Sequence, residues 1–260
     1  MATTANAQPR PATSPPKRNR TLLIILAVIV ALVAALVGAE LYVRHSVKQC
    51  MADQFQSELG SKVAVDLSAK PMLLQVLDKS VPYIEVTSDD SSFGPAQDMH
   101  VKARVNDVDL TNAGTTGATV GSSTAEVDWS TAGILATLQA QPFGRLITGV
   151  TSDATAGTLQ FQILGLAELT VRPQASGGAI TVEAVGAELL GLGIPTDLVS
   201  GVVDVLTSTL QTFPLGMTAD SLTMTDTGLQ MTLSGDAYTM PVADPNAAQV
   251  DVPSSCALLT

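Results

Sequence analysis

The sequence predicts an α+β fold: a strongly curved antiparallel β-sheet with helices packed on one face, preceded by one N-terminal transmembrane helix. Three observations predict it. Short segments of alternating apolar and polar residues recur between Gly-, Ser- and Asp-rich turns, the signature of half-buried strands. Two later segments repeat their apolar residues every three or four positions, as helices do. One uninterrupted apolar run, Thr21–Ala39 (TLLIILAVIVALVAALVGA), lies near the N-terminus and carries no charge. Aromatic residues make up only 3% of the chain while 46% is hydrophobic, so Val, Leu, Ala and Met must build the core. Val and Thr favour pleated surfaces.

Nineteen helical residues at ~1.5 Å each span the ~30 Å hydrocarbon layer of a bilayer. The tail before the run, Met1–Arg20, carries Arg10, Lys17, Arg18 and Arg20 and no acid. After Val43 there are nine Lys/Arg and twenty-three Asp/Glu, a balance of 9 − 23 = −14. The positive-inside rule then sets the tail in the cytoplasm and the rest outside. Arg44, His45 and Lys48 lie on the wrong side for that rule. The competing reading is a cleaved signal peptide, with small residues at Val37-Gly38-Ala39, although the run is longer than an ordinary signal h-region. Cleavage would make the protein secreted. The expected division is a basic disordered cytoplasmic tail over 1–20, an anchor over 21–43, an extracytoplasmic domain over 44–240 and an irregular tail over 241–260.

Beyond the anchor, Val43, Val47, Met51, Phe55 and Leu59 continue a helical stripe, with Gly60 as its stop. Cys50 and Cys256 are the only cysteines. In an oxidising compartment they form either one disulfide, joining this helix to the chain's end, or two free or intermolecular thiols. Cys50 follows no lipobox.

Val63, Val65 and Leu67 mark a strand, and Tyr83–Thr87 a second. Between them Pro71–Leu77 is apolar without strand periodicity, so it forms a short helix or a buried turn. Met99, Val101, Ala103 and Val105 alternate, and Val108 and Leu110 take the opposite parity, which requires a bulge. Ala125, Val127 and Trp129 form another strand, and Ser130 caps a helix through Leu138, with Ile134, Leu135 and Leu138 inward. Leu159, Phe161, Ile163, Gly165, Ala167, Leu169 and Val171 share one parity. They form either one strand of ~13 residues and ~43 Å or two strands joined at Leu164-Gly165. Ser176-Gly177-Gly178 turns into the strand of Ile180, Val182 and Ala184. Pro195 opens a helix with Leu198, Val202, Leu206 and Leu210 on one face. Leu222 and Met224, then Asp226-Thr227-Gly228, then Leu229, Met231 and Leu233 read as a closing hairpin.

Chemistry-bearing groups are few. His100 is the domain's one histidine away from the membrane segment, and it falls on a polar strand face. No Gly-x-Ser-x-Gly elbow occurs. Two distant cysteines and two separated histidines cannot hold zinc, and Asp89-Asp90 and Asp107-x-Asp109 lack the spacing of a calcium loop. Glu126 and Asp128 share a strand face and leave a carboxylate-pair hydrolase as a remote reading. No metal, cofactor or catalytic residue is expected, and the acidic balance excludes nucleic acid. What stands out is apolar surface: either an ordinary core or a core opened into a cleft for acyl chains. Such a cleft would lie between the helix from Pro195, the Leu73–Leu77 segment and the inward face of Leu159–Val171. Its lining would be Leu73, Leu74, Val76, Leu77, Leu159, Phe161, Ile163, Leu169, Leu198, Val202 and Leu206.

The layout from Leu41 to Thr239 resembles the LmeA-like family of phospholipid-binding proteins from actinobacterial cell envelopes. The segments that carry it are Pro71-Met72-Leu73-Leu74-Gln75-Val76-Leu77 followed by Tyr83-Ile84-Glu85-Val86, the strand-to-helix step from Val127-Asp128-Trp129-Ser130 to Leu138, Pro195–Leu210, Phe213-Pro214-Leu215-Gly216-Met217, and Asp226-Thr227-Gly228-Leu229. The sequence departs from that pattern at Met72, where an aromatic is common, and at Asp78-Lys79-Ser80. The resemblance implies a curved antiparallel β-sheet wrapped around helices, similar to tubular lipid-binding domains, and non-enzymatic binding, with or without transfer, of phospholipid in the cell envelope. Support of envelope lipoglycan assembly is a further implication. A structural or scaffolding envelope protein with a closed core and a protein partner is the alternative.

Overall fold

The apolar run folds within a single helix, α1 (Arg18–Leu59). A computed structural model of the chain describes residues 18–59, 61–88, 92–113, 115–189, 195–211, 213–242 and 256. Gly60, Asp89–Ser91, Gly114 and most of the stretch after Val242 fall outside the described residues. The chain divides into two compact units, Met1–Tyr42 and Val43–Thr260. In the first unit, Leu22, Ile24, Val28 and their neighbours along the helix are exposed. By length and composition this helix is able to cross a membrane, its best window having a mean hydropathy of 3.2.

In the second unit the elements after α1 are β1 (Val63–Leu67), α2 (Met72–Asp78), β2 (Ser80–Ser88), β3 (Ser92–Phe93), β4 (Ala96–Gln97), β5 (Met99–Asp109), β6 (Thr119–Val120), β7 (Ser122–Ser130), α3 (Thr131–Gln139), β8 (Ile147–Asp153), β9 (Thr158–Ile163), β10 (Ala167–Ser176), β11 (Ala179–Leu189), α4 (Thr196–Gln211), β12 (Thr218–Thr225), β13 (Gly228–Gly235) and β14 (Tyr238–Thr239). The larger sheet runs β1-β2-β5-β7-β13-β12, with β6 and β14 attached at the end of β5. The smaller runs β11-β10-β9-β8, and β3-β4 is a short hairpin. Every pairing is antiparallel. Both sheets are open, with edges at β1 and β12 and at β11 and β8, so neither is a closed barrel. This is an α+β domain.

The turn chemistry decides the question left at Leu164-Gly165. Both residues have positive φ, 52° and 68°, and with Leu166 they form a three-residue turn that pairs Ile163 with Ala167. Thus β9 and β10 are two ordinary strands, and Leu164 and Leu166, the residues that broke the alternation, are exposed at the turn. Gly177 and Gly178, at φ 61° and 82°, make a two-residue turn into β11 that pairs Ser176 with Ala179. The parity change in β5 falls at Asp107 (φ 53°), between buried Val101 and buried Val108. The segment before β2 is a helix, α2. β8 is the strand with no clear pattern in the sequence. It is an edge strand with one buried residue, Ile147, and a register shift before Gly149, so little alternation was required of it.

One core joins the two sheets to α3 and α4. Ser130 caps α3, its Oγ accepting from Gly133 N at 2.9 Å and donating to Asp98 Oδ2 at 2.8 Å. Ile134 and Leu138 are fully buried. A methyl at Gly133 would lie 2.4 Å from Gln97 O, so only glycine lets α3 approach β4 this closely. Trp129, 1% exposed, donates from Nε1 to the same Gln97 O at 3.0 Å. α4 packs on β11 and buries Leu198, Val202, Leu206 and Leu210, the four-residue stripe read from the sequence.

Candidate functional site

The apolar residues expected to line a cleft fall into two groups. Leu159, Phe161, Leu169, Val202 and Leu206 are 0% exposed, and Ile163 and Leu198 are also buried. All seven lie in the one core cluster that spans the sheets, α3 and α4. Leu73, Leu74, Val76 and Leu77 belong to α2, and they are 43%, 50%, 68% and 80% exposed.

α2 is inside out. Its buried residues are Met72 and Gln75, a helical turn apart on one face. Met72 enters a second, smaller cluster with Val65 and Leu67 of β1, against which Val43, Val47, Met51 and Ala52 of α1 and Ile84 and Val86 of β2 pack. Gln75, 3% exposed, donates from Nε2 to Lys70 O at 2.6 Å. Every other position through Leu77 is aliphatic and faces outward. Burying a Leu or Val side chain is worth ~1.5–3 kcal/mol. At these exposures the four leave ~5 kcal/mol unrealised in water, while an amide is held inside.

The orientation is enforced by polar ties. Arg44 of α1 donates from Nη1 to Ser68 O (2.8 Å) and Leu67 O (3.3 Å) and from Nη2 to Lys70 O (2.9 Å). It therefore binds the strand end that leads into α2. Lys48 adds an ion pair to Asp66 at 2.6 Å. At the other end of α2, Lys79 has left-handed backbone (φ 52°) and its carbonyl accepts from Leu110 N at 2.8 Å. Lys70 Nζ donates to Asp78, closing the helix end to end. That bond, together with the Ser80 N–H, holds the Asp78 carboxyl below the usual carboxylate range. The cations Arg44 and Lys48, anomalous by the positive-inside rule, are thus structural braces. The sequence signal for them was that anomaly. For Met72 and Gln75 as the inward pair there was none.

Cys50 and Cys256 form a disulfide, with Cα atoms 4.8 Å apart. Cys256 is buried, so the chain's end is fastened to α1 within the second unit.

The polar faces offer less. Glu85 of β2 forms ion pairs with Lys102 (3.4 Å) and Arg104 (3.6 Å), and the Arg104 guanidinium stacks 3.8 Å over Tyr83. His100 lies opposite Asp128 in the β5–β7 pairing, in an open groove of about 530 Å³ with Asp98, Ser130 and Thr227. Glu126 and Asp128 are exposed. Among the described residues no group of three or more His, Cys, Asp or Glu is placed to hold a metal ion.

The class that these features define is an α+β domain with a solvent-facing aliphatic helix, in a chain whose N-terminal helix is long and apolar enough to span a membrane. The profile of the LmeA-like phospholipid-binding family matches residues 34–234, and the chain belongs to that family. Uncharacterized proteins of Mycobacterium tuberculosis and Mycobacterium bovis are each 28% identical over 212 residues, covering 80% of this chain and 61% of the relative. The chain thus spans about three fifths of the length of these relatives. No solved structure matches it.

Proposed function

We propose that this protein binds phospholipid through its acyl chains, without catalysing a reaction, at the outer face of a plasma membrane in which Thr21–Ala39 anchors it. The observation that carries this reading is the outward aliphatic face of α2 in a member of a phospholipid-binding family. The acyl chains would first meet Leu73, Leu74, Val76 and Leu77. In an opened form of the domain they would pass between α4 and the smaller sheet, where Leu198, Val202 and Leu206 share one cluster with Leu159, Phe161, Ile163 and Leu169. Such an opened form would make the domain similar to tubular lipid-binding domains. Transfer of lipid between membranes, in support of envelope lipoglycan assembly, is the wider role proposed.

The full chain, purified in mild detergent and sprayed under native conditions, is expected to carry phospholipid that organic extraction recovers and headgroup analysis identifies. A lipid-free chain that takes up none from added vesicles defeats the reading. The complete burial of the interior residues favours a second reading, a closed-core scaffold. It predicts no bound lipid and a specific protein partner retained in the same detergent.

A further inference from the structure

We infer that α2 is an interfacial wedge: its outward face inserts between the headgroups of the membrane that the chain's own apolar helix enters. This rests on the reading of Thr21–Ala39 as a membrane span, and it stands whether or not the interior holds a lipid. Three observations converge on a bilayer surface as the occupant.

The first is chain distance. Arg44 lies 44 − 39 = 5 residues beyond Ala39, which is ~7.5 Å along a helix and at most ~18 Å of extended chain. The polar layer on each side of the hydrocarbon is itself roughly 5–7 Å thick. The Arg44 guanidinium is bonded at 2.9 Å to Lys70 O, one residue before the Pro71 that opens α2. So α2 is tied to the part of the second unit that chain length keeps closest to the bilayer.

The second is the inverted polarity. Rotating α2 would bury Leu73 and Leu77 and release Gln75, yet Arg44, Lys70 and Lys79 hold the aliphatic side chains outward. Seven residues are too few to span a bilayer, and a short apolar face lying in the interface is the form that fits.

The third is charge. Residues 44–79 contain five cations (Arg44, Lys48, Lys62, Lys70, Lys79) and four acids (Asp53, Glu58, Asp66, Asp78), a balance of 5 − 4 = +1. Residues 80–260 contain four cations and nineteen acids, 4 − 19 = −15. The segment that presents α2 is the part of the domain that phosphate headgroups do not repel. Lys70 and Lys79 stand at the two ends of the aliphatic face; the Lys70 ammonium is held by Asp78, and exposed Lys79 is the cation placed to reach phosphate while its stem lies in the apolar layer.

The test uses the full chain in vesicles of phosphatidylcholine and phosphatidylglycerol. Both native cysteines are paired, so Leu77→Cys supplies one thiol for an environment-sensitive nitrobenzoxadiazole label. Co-flotation with the vesicles reports the anchor, and buried-type emission from Trp129 reports folding. The label is expected to emit as in an apolar medium. Lipids brominated near the headgroup end of their acyl chains are expected to quench it, since an interfacial helix buries its apolar face ~5–10 Å into the headgroup and acyl boundary. Replacing Leu73, Leu74 and Val76 by Ser in the labelled chain should reduce that quenching severalfold. A chain that floats, is folded and keeps a wet, unquenched label overturns the inference. A shielded label that bromolipids do not quench also overturns it, because α2 is then covered by protein, a second copy included. A chain that does not float overturns both the anchor and the wedge. The lipid-binding reading stands or falls separately, on the lipid recovered from the same preparation.

Discussion

Removing the Cys50–Cys256 bond is expected to destabilise the domain by about 5 kcal/mol. The bond closes a loop with a sequence separation of 206 residues. In the chain-entropy treatment, freeing a loop of that size returns roughly 18 cal/mol/K to the unfolded chain, or ~5 kcal/mol near room temperature. The native state offers little to offset this, since Cys256 is buried and alanine leaves only a small void. The assay is urea unfolding of the full chain in detergent, with the Cys50→Ala/Cys256→Ala double variant beside the oxidised protein. The chain has a single tryptophan, and Trp129 is 1% exposed in the main core, so its emission reports the loss of that core directly. With a denaturant slope of ~2.5 kcal/mol/M for a domain of this size, the midpoint should fall by ~2 M. A fall of under ~0.4 M, about 1 kcal/mol, would refute the reasoning. It would mean that the unfolded chain keeps its ends together without the bond, or that α1 and the last residues separate before the core opens.

Gly133→Ala should cost ~1–3 kcal/mol or more in the same unfolding assay, because the new methyl meets the backbone oxygens Gln97 O and Asp98 O at 2.4 and 2.8 Å; wild-type stability would show that α3 can shift away from β4 freely. Ser130→Ala removes the acceptor for Gly133 N and should cost ~1 kcal/mol. Leu74→Ser with Leu77→Ser should leave the urea midpoint within about 0.5 kcal/mol of wild type, whereas Met72→Ala, on the buried side of α2, should lower it by ~2 kcal/mol or more; the reverse order would show that α2 faces the other way in solution. The Asp78 carboxyl is depressed by Lys70 and Ser80. Its contribution is therefore present above the unfolded value of 3.8 and is lost as pH falls through the lower folded value. Amide exchange in α2 should rise as pH falls below 3.8 through that window, and Asp78→Asn should abolish the step.

How much of this was legible in the sequence depends on what each element buries. α4 was legible because Leu198, Val202, Leu206 and Leu210 all enter one core. β7 was legible because Ala125, Val127 and Trp129 are buried while Glu126 and Asp128 are not. The same rule has nothing to act on in β8, where only Ile147 is buried. It also left β9 and β10 open as one strand or two, since parity runs straight through a three-residue turn that pairs Ile163 with Ala167. There the positive φ of Leu164 and Gly165 decides, and Leu164 carries no residue-type signal for such a turn.

The candidate site marks the deeper limit. A pattern of apolar residues says that they leave water, not what they meet instead. Leu206 and Leu77 look alike in the sequence, yet one is 0% exposed and the other 80%. What separates them is the company of Gln75. In α4 the polar residues Ser200 and Asp204 face solvent, as water requires of an amphipathic helix. In α2 the one polar residue before Asp78 is turned inward, so the helix is amphipathic toward a different surrounding. Periodicity read with the usual sign assigns Gln75 to water and the leucines to the core. Only the braces at Arg44, Lys70 and Lys79 reverse that sign, and they act across 26 residues between Arg44 and Lys70. A contact that distant in sequence leaves no local pattern, which is why the face of α2 had to be read from the fold.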